Sequence, residues 1–390
     1  MNKFLFSLSL FIMIINTEAF SQEKAIATIQ WEKIATLENA DGSRSIGLAG
    51  AINAVYDHAL LIAGGANFPD KMPWEGGKKH YSDEINILQK LDGKYVWNKK
   101  INAKLPEPIA YCGNTSTQSG IIYAGGENAA GLSKKAFLIK LNSGKGKLMI
   151  SALPDLPDPL TNIFLCNIGN VVYAIGGDGP SLSSPAFLSL DLDKKEEGWK
   201  QLPNMPIALA NSAAVVQNGP EGVNIYVVGG RSKDPSGISE LHNTLFIYNP
   251  QTKTWKSGAP ISDGSASMNF SAGAAVPLAD HLVLIAGGDN GKVFHQIETY
   301  LVQIAQAKSS EEKESLVTKK NHLVINHQGF DKALLLYDTK ANTWNKIEEL
   351  PFPAHVTTTA TKWGECIVLS SGEIKPGVRT PNIMLGKPVF

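Results

Sequence analysis

One pattern constrains this chain more than any other: an apolar run that closes on two glycines, repeated along its length. It reads "LLIAGG" ending at Gly64-Gly65, "IIYAGG" at Gly125-Gly126, "VVYAIGG" at Gly176-Gly177, "IYVVGG" at Gly229-Gly230 and "LVLIAGG" at Gly287-Gly288. A sixth copy, "CIVLSSG", carries Ser371-Gly372 in place of the doublet. The second glycines stand at 65, 126, 177, 230, 288 and 372, so the intervals are 61, 51, 53, 58 and 84 residues. A period near 50 to 60 is that of one four-stranded propeller blade, and the long interval marks an insertion.

Each doublet is followed by a loop of variable length and then a second apolar strand: 85–91, 136–142, 186–192, 244–250, 333–339 and 382–388. A tryptophan marks the next strand at Trp97, Trp199, Trp255 and Trp344, followed by links such as "LPEP", "LPNMP" and "LPFP". Proline cannot sit inside a central strand, so these links pass the chain from blade to blade. The last copy has no tryptophan strand, while "IQWEKIATL" around Trp31 has no preceding strands of its own. Pairing the two would leave no open sheet seam. The expected fold is therefore all-β, a single six-bladed propeller over 22–390 whose last blade is closed by the N-terminal strand. The tryptophans are read as packing between blades. Residues 303–329, charge-mixed and helix-forming around Glu311–Lys320, are read as an insertion in the fifth blade's loop near the binding face.

Composition excludes several functions. Lys+Arg and Asp+Glu both number 36, so no long-range field draws nucleic acid or an anionic membrane. Residues 1–21 hold one early lysine, an apolar run from Phe4 to Ile15 and small residues at Ala19 and Ser21, which reads as a secretory signal peptide and an exported, periplasmic protein without membrane insertion. Cys112, Cys166 and Cys366 are too few and too scattered for a disulfide framework and are read as inert. The histidines show no metal-ligand spacing, so neither metal nor cofactor is expected. A homodimer is compatible with the sequence.

In an up-and-down blade, the loop after each doublet and the link into the next inner strand emerge at one mouth of the channel. These positions carry Asn67, Glu127, Asp178, Arg231, Asp289 and Glu373, with Tyr111, Asn162, Asn211, Asn269 and His355 at the inner-strand starts. Amides, carboxylates and a few cations suit a polyhydroxylated ligand; equally, Asp and Asn beside glycines often only satisfy turns. Two loops stand out: "ANFPDKMPWEGGKKHYSDE" (66–84), far longer than a hairpin needs, with Trp74, Glu75, Lys78, Lys79 and Tyr81, and "SSGEIKPGVRT" (370–380), where the doublet is altered to Ser-Gly and Glu373, Lys375 and Arg379 follow.

The glycine doublets, Tyr-Asn-Pro or Tyr-Asp-Thr turns and tryptophans resemble the kelch repeat. More narrowly, "SSGEIKPGVRT", the 66–84 loop and "AGGENAAG" resemble the signature segments of the N-acetylneuraminate epimerases, or sialic acid mutarotases. The matching positions are Glu373, Pro376, Gly377, Arg379 and Thr380; Glu75, Lys78, Lys79, Tyr81 and Ser82; and Glu127. In better-known members the glutamate-arginine motif precedes the long loop, so this order resembles a cyclic permutation, which a closed ring of blades tolerates. The resemblance implies a free sugar acid as ligand and Glu373 as general base. Asn67, Glu75, Lys78, Lys79, Tyr81, Glu127, Arg231 and Asn269 are the expected substrate contacts. Arg379 can neutralise the substrate carboxylate with a bidentate fork and is expected to hold Glu373 ionised. A regular two-residue hairpin at Pro376-Gly377 would set Glu373 and Arg379 on opposite faces, so the loop must deviate if both touch substrate. A non-catalytic glycan- or protein-binding module is the alternative. A radical-copper oxidase would need a Tyr-Cys pair and paired histidines, and neither pattern is present.

Overall fold

The computed structural model describes residue 26 and residues 28–390, apart from 40 and 143; the signal-peptide reading lies outside these residues. Six four-stranded antiparallel sheets form the six blades of a β-propeller. From the innermost strand outwards, blade 1 holds Ile52–Tyr56, Ala59–Ala63, Ile85–Leu91 and Lys94–Trp97. Blade 6 holds Thr361–Trp363, Cys366–Ser370, Asn382–Val389 and, from the other end of the chain, Thr28–Thr36. That N-terminal strand runs antiparallel to Asn382–Val389 from Thr28↔Val389 to Thr36↔Asn382, so the expected closure is present.

The doublets are glycine because neighbouring blades meet there. The N–H of Gly65, Gly126, Gly177, Gly230 and Gly372 each donates to a carbonyl in the next blade's link, Ile109, Leu160, Leu209, Phe270 and Leu48, at 2.7–2.8 Å. A Cβ on the preceding glycine would stand only 2.1–2.5 Å from that same carbonyl in blades 1 to 4. In blade 6, Ser371 takes this position with φ +55 and uses its hydroxyl as a clasp. Its Oγ accepts from Leu48 N–H at 2.7 Å and lies 2.8 Å from the carbonyl of Thr380 and 3.0 Å from that of Leu48. The tryptophans tie the outer edges as expected. Trp97, Trp199, Trp255 and Trp344 donate Nε1–H to Thr36, Pro154, Pro203 and Ala259 of the preceding blade.

At the doublet end of the channel the backbone forms a closed circuit. Tyr111 N–H donates to Gly50, Asn162 to Tyr111, Asn211 to Asn162, Ala272 to Asn211, Thr357 to Ala272 and Gly50 to Thr357, all at 2.7–3.1 Å. All six residues are left-handed, with φ between 51° and 64°. Asparagine tolerates this conformation, which accounts for Asn162 and Asn211 as parts of the ring. Tyr111, Ala272 and Thr357 have no such excuse, and each costs about 1–3 kcal/mol, a strain that collects at one mouth.

The long fifth interval is a helical hairpin, α1 (Lys292–Gln306) and α2 (Ser310–Ile325), so helix begins ahead of the 303–329 stretch singled out by composition. Ser309 caps α2 by accepting the Glu312 N–H at 3.1 Å. No helix among the described residues is long and apolar enough to cross a membrane. Cys112 and Cys166 are buried and unbridged, and burial pushes the Cys112 thiol up to about 12.

Candidate functional site

Over the backbone ring lies a cavity of about 340 Å³. Asn211, Ser271, Ala272 and Thr357 line it from the ring side. Glu373 and Asp289, each the first residue after its doublet, enter the lining with Arg231, in the same repeat position of blade 4. Phe294 and Ile297 of α1, Lys320 and Val324 of α2, and Pro73 and Trp74 of the long first-blade loop line it as well. Inter-strand bridges set these residues: Glu373 pairs with Val356, Asp289 with Ser271 and Arg231 with Ala210, each just ahead of its inner strand.

Glu373 and Arg379 do face one another. In the small hairpin, Lys375 pairs with Val378, but a bulge then places Glu373, not Ile374, opposite Arg379. This extra residue is the required deviation, because it moves the two side chains to one face. Gly377, at φ +82, turns its N–H onto Glu373 Oε1 at 2.5 Å. Arg379 Nη1 stands 3.4 Å from the same oxygen, its side chain only 4% exposed against 16% for Glu373. The guanidinium lies over the Phe68 ring at 4.7 Å, and its Nε and Nη1 are buried without a hydrogen-bond partner. Burial pushes the Glu373 carboxyl above the ordinary glutamate range; Arg379, as expected of a neighbouring cation, pulls the other way with the Gly377 N–H and Lys79, without cancelling the effect of burial.

Lys79, Tyr81 and Glu127 form a second cluster between blades 1 and 2. Glu127 accepts from Lys79 Nζ at 2.9 Å and from Tyr81 Oη at 2.8 Å, and Lys79 sits 4.9 Å from the centre of the Tyr111 ring. Burial lowers the Lys79 ammonium, but Tyr111 and Glu127 outweigh it and the net shift is upward. Burial, chiefly, pushes the Tyr81 phenol up to about 12. Arg231 is held by Asp178, Nη2 to Oδ2 at 2.5 Å, in a pair that is 12% and 10% exposed. Asp178 also accepts from Ser183 at 2.8 Å and Asn162 at 3.1 Å.

Of the expected catalytic and substrate-binding residues only Glu373 and Arg231 line the cavity. Arg379 lines a neighbouring pocket with Phe68, Glu75 and Val378, the two pockets sharing Gly377, and Lys79, Tyr81, Glu127, Asn67, Lys78 and Asn269 stand outside the cavity lining. Asn67 donates to the Gly47 carbonyl at 3.1 Å, and Glu75 caps its own turn by accepting the Met72 N–H at 3.0 Å. Lys78 and Asn269 are exposed. His355 is buried against Phe352, its imidazole pushed down to about 4 by burial. Conversely, reading the sequence missed His327, which is 8% exposed and lines the cavity. Its Nδ1 accepts the Gly329 N–H at 3.0 Å and burial lowers its pKa, so the neutral ring carries its proton on Nε2. It also missed the apolar side chains of the hairpin, where only the i, i+3 spacing of Phe294 and Ile297 could have pointed to a shared face. Among the described residues no group of His, Cys, Asp and Glu is arranged to hold a metal.

The family model described as N-acetylneuraminate epimerase matches residues 153–388. Among curated proteins, N-acetylneuraminate epimerase of Salmonella arizonae is 28% identical over 244 residues, covering 60% of this chain and 58% of that protein. The proteins of that name from Salmonella typhi and Brucella melitensis are each 29% identical over 237 residues, covering 60% of this chain and 57% and 58% of their own. The chain thus spans a little under three-fifths of the length of the relatives it matches. With more than half of its residues under one family model, and the glutamate-arginine hairpin inside the matched stretch, the chain belongs to the N-acetylneuraminate epimerase family.

Proposed function

We propose that this protein is a sialic acid mutarotase, interconverting the α and β anomers of free N-acetylneuraminate. The observation that carries the reading is the bulged hairpin: it sets the desolvated Glu373 carboxyl, which lines a cavity large enough for one monosaccharide, beside Arg379, whose Nε and Nη1 have no hydrogen-bond partner and which stands just behind that lining. Family membership supplies the substrate class. The match to a single stretch, with the 66–84 loop and Glu127 outside it, supports the permuted order, since a linear comparison of permuted chains aligns one segment.

The chemistry follows from the geometry. Glu373 takes the proton from the anomeric hydroxyl, whose electrons form the carbonyl as the bond to the ring oxygen breaks. The ring oxygen is attached to the same carbon, so one carboxyl reaches both atoms and can return the proton there. Oε1 is engaged by Gly377 and faces Arg379, which leaves Oε2 for the proton. A carboxyl that burial raises above the ordinary glutamate range holds a proton between two such steps better than an ordinary glutamate does. Rotation about the bond beside the carbonyl presents its other face, and the steps reverse. Arg379 offers its unpaired donors to the substrate carboxylate, which would otherwise repel Glu373.

The test is to release α-sialic acid with a sialidase and follow its conversion to the β form by proton NMR. Wild-type protein should accelerate conversion and Glu373→Gln should not. An unchanged rate with the wild type would refute the proposal, and a fully active Glu373→Gln would refute the base.

A further inference from the structure

The cavity has two unlike sides. The blade-derived side presents Glu373, Asp289, Arg231 and the ring residues, with Leu241, Val356 and Pro376 as its apolar members and the Arg231 guanidinium 6.0 Å from the Phe294 ring. The hairpin presents Phe294, Ile297 and Val324, none of them fully buried, so apolar surface faces the cavity instead of a protein core. Lys320 and His327 flank that surface. The hairpin is tied down at both sides. Asn321 Nδ2 donates to the Trp74 carbonyl at 3.3 Å, and Glu298 accepts from Ser239 N–H at 2.6 Å and Ser239 Oγ at 3.1 Å.

A free sugar acid is covered in hydroxyls and carries little apolar surface; the clear exception is the methyl of an N-acyl group, with a polar amide beside it. We infer that the α1–α2 hairpin is the specificity element of this site, its Phe294, Ile297 and Val324 receiving the N-acyl methyl of the substrate while Lys320 and His327 stand beside the amide. The inference rests on the mutarotase reading and assigns discrimination at the 5-acylamino position to the hairpin; a volume of about 340 Å³, near the small end of ligand sites, suits a monosaccharide. A sialic acid with hydroxyl in place of the acylamino group leaves the apolar wall unfilled. An N-glycolyl group brings a hydroxyl against it.

The test compares N-acetyl, N-glycolyl and deaminated sialic acids as substrates, by the same NMR measurement, for the wild type, Phe294→Ala and Val324→Ala. The wild type should prefer N-acetyl over deaminated substrate by about 10- to 200-fold in kcat/KM, and over N-glycolyl by up to about 100-fold. Phe294→Ala should lose most of its rate on the N-acetyl substrate and little on the deaminated one, so the preference collapses; Phe294→Leu should retain it. Equal rates on all three substrates with the wild type, or equal losses on all three in both alanine variants, would overturn the inference while leaving the mutarotase standing. Acceleration of none of them by the wild type would overturn both.

Discussion

Two carboxylate–arginine pairs sit at the same mouth, and both begin at the residue following a doublet. Asp178 and Arg231 occupy that position in blades 3 and 4 and meet at 2.5 Å, with Ser183 and Asn162 donating to the same carboxylate. Glu373 occupies it in blade 6 and meets Arg379 only at 3.4 Å, across a bulge, leaving two arginine nitrogens without partners. The first pair spends its hydrogen-bonding capacity on the protein and behaves as a clamp between blades. The second keeps capacity in reserve, and its carboxyl is pushed up by burial. Equivalent places in a repeat therefore acquire scaffold or site character from how completely their polar atoms are satisfied.

The sharpest break between the pairs is in chemistry. Glu373→Gln should lower kcat for anomerisation by about 10²- to 10⁴-fold, the range of general-base catalysis, with little change in thermal unfolding. Asp178→Asn should do the reverse, costing about 3–5 kcal/mol by stranding a buried guanidinium while leaving kcat within a few-fold. The paired readouts are NMR rates and thermal melts. Similar losses of rate in the two variants would erase the distinction.

The scaffold was legible in the sequence because each blade repeats its own instructions. Glycines are required where the next blade's carbonyl arrives, tryptophans where an outer edge must be tied, and prolines where strands must end. The site was legible in part. Glu373 and Arg379 stood out as charge in a broken repeat, but their facing depends on a bulge that one-residue spacing conceals. Asn162 and Asn211 stand out in the sequence as ligand-like amides, yet both also serve the backbone ring, and only Asn211 lines the cavity, because a tolerated left-handed backbone and a binding amide use the same amino acid. The cavity wall from α1 and α2 was hidden for a different reason: which face of a helix looks into a cavity is decided by docking contacts such as Asn321 to Trp74, far apart in the chain.

A smaller effect separates the arginines. Arg379→Lys should lower kcat/KM roughly 10- to 100-fold, since an ammonium cannot reproduce the fork toward a carboxylate. Arg231→Lys should change it only a few-fold and show itself in the melt. The pH profile carries the same contrast. Because burial raises the Glu373 carboxyl, the base form appears only as pH climbs above the ordinary glutamate range near 4.3, so kcat/KM should rise with pH along a limb displaced upward. Removing the opposing cation with Arg379→Met should move that limb higher still. A wild-type limb at the ordinary glutamate position would contradict the desolvated site.

The smallest expected effect tests the turn itself. Gly377 at φ +82 and Gly176 at φ +59 both occupy left-handed backbone, yet they differ in what surrounds them. A Cβ at Gly176 would stand 2.1 Å from the Leu209 carbonyl, so Gly176→Ala must force blades 3 and 4 apart. At Gly377 the nearest atoms are the Pro73 ring at 3.0 Å and the Trp74 side chain at 3.2 Å, on a loop that can shift by a few tenths of an ångström. Gly377→Ala should therefore cost only about 1–2 kcal/mol of stability, from the backbone conformation. Its N–H would no longer meet Glu373 Oε1 squarely, and the anomerisation rate should fall a few-fold as a lost donor lets the carboxyl rise further. An upward step of the acid limb in Gly377→Ala, absent from Gly176→Ala at matched folded fraction, would tie that donor to the base; coincident profiles would leave Gly377 as a turn residue alone.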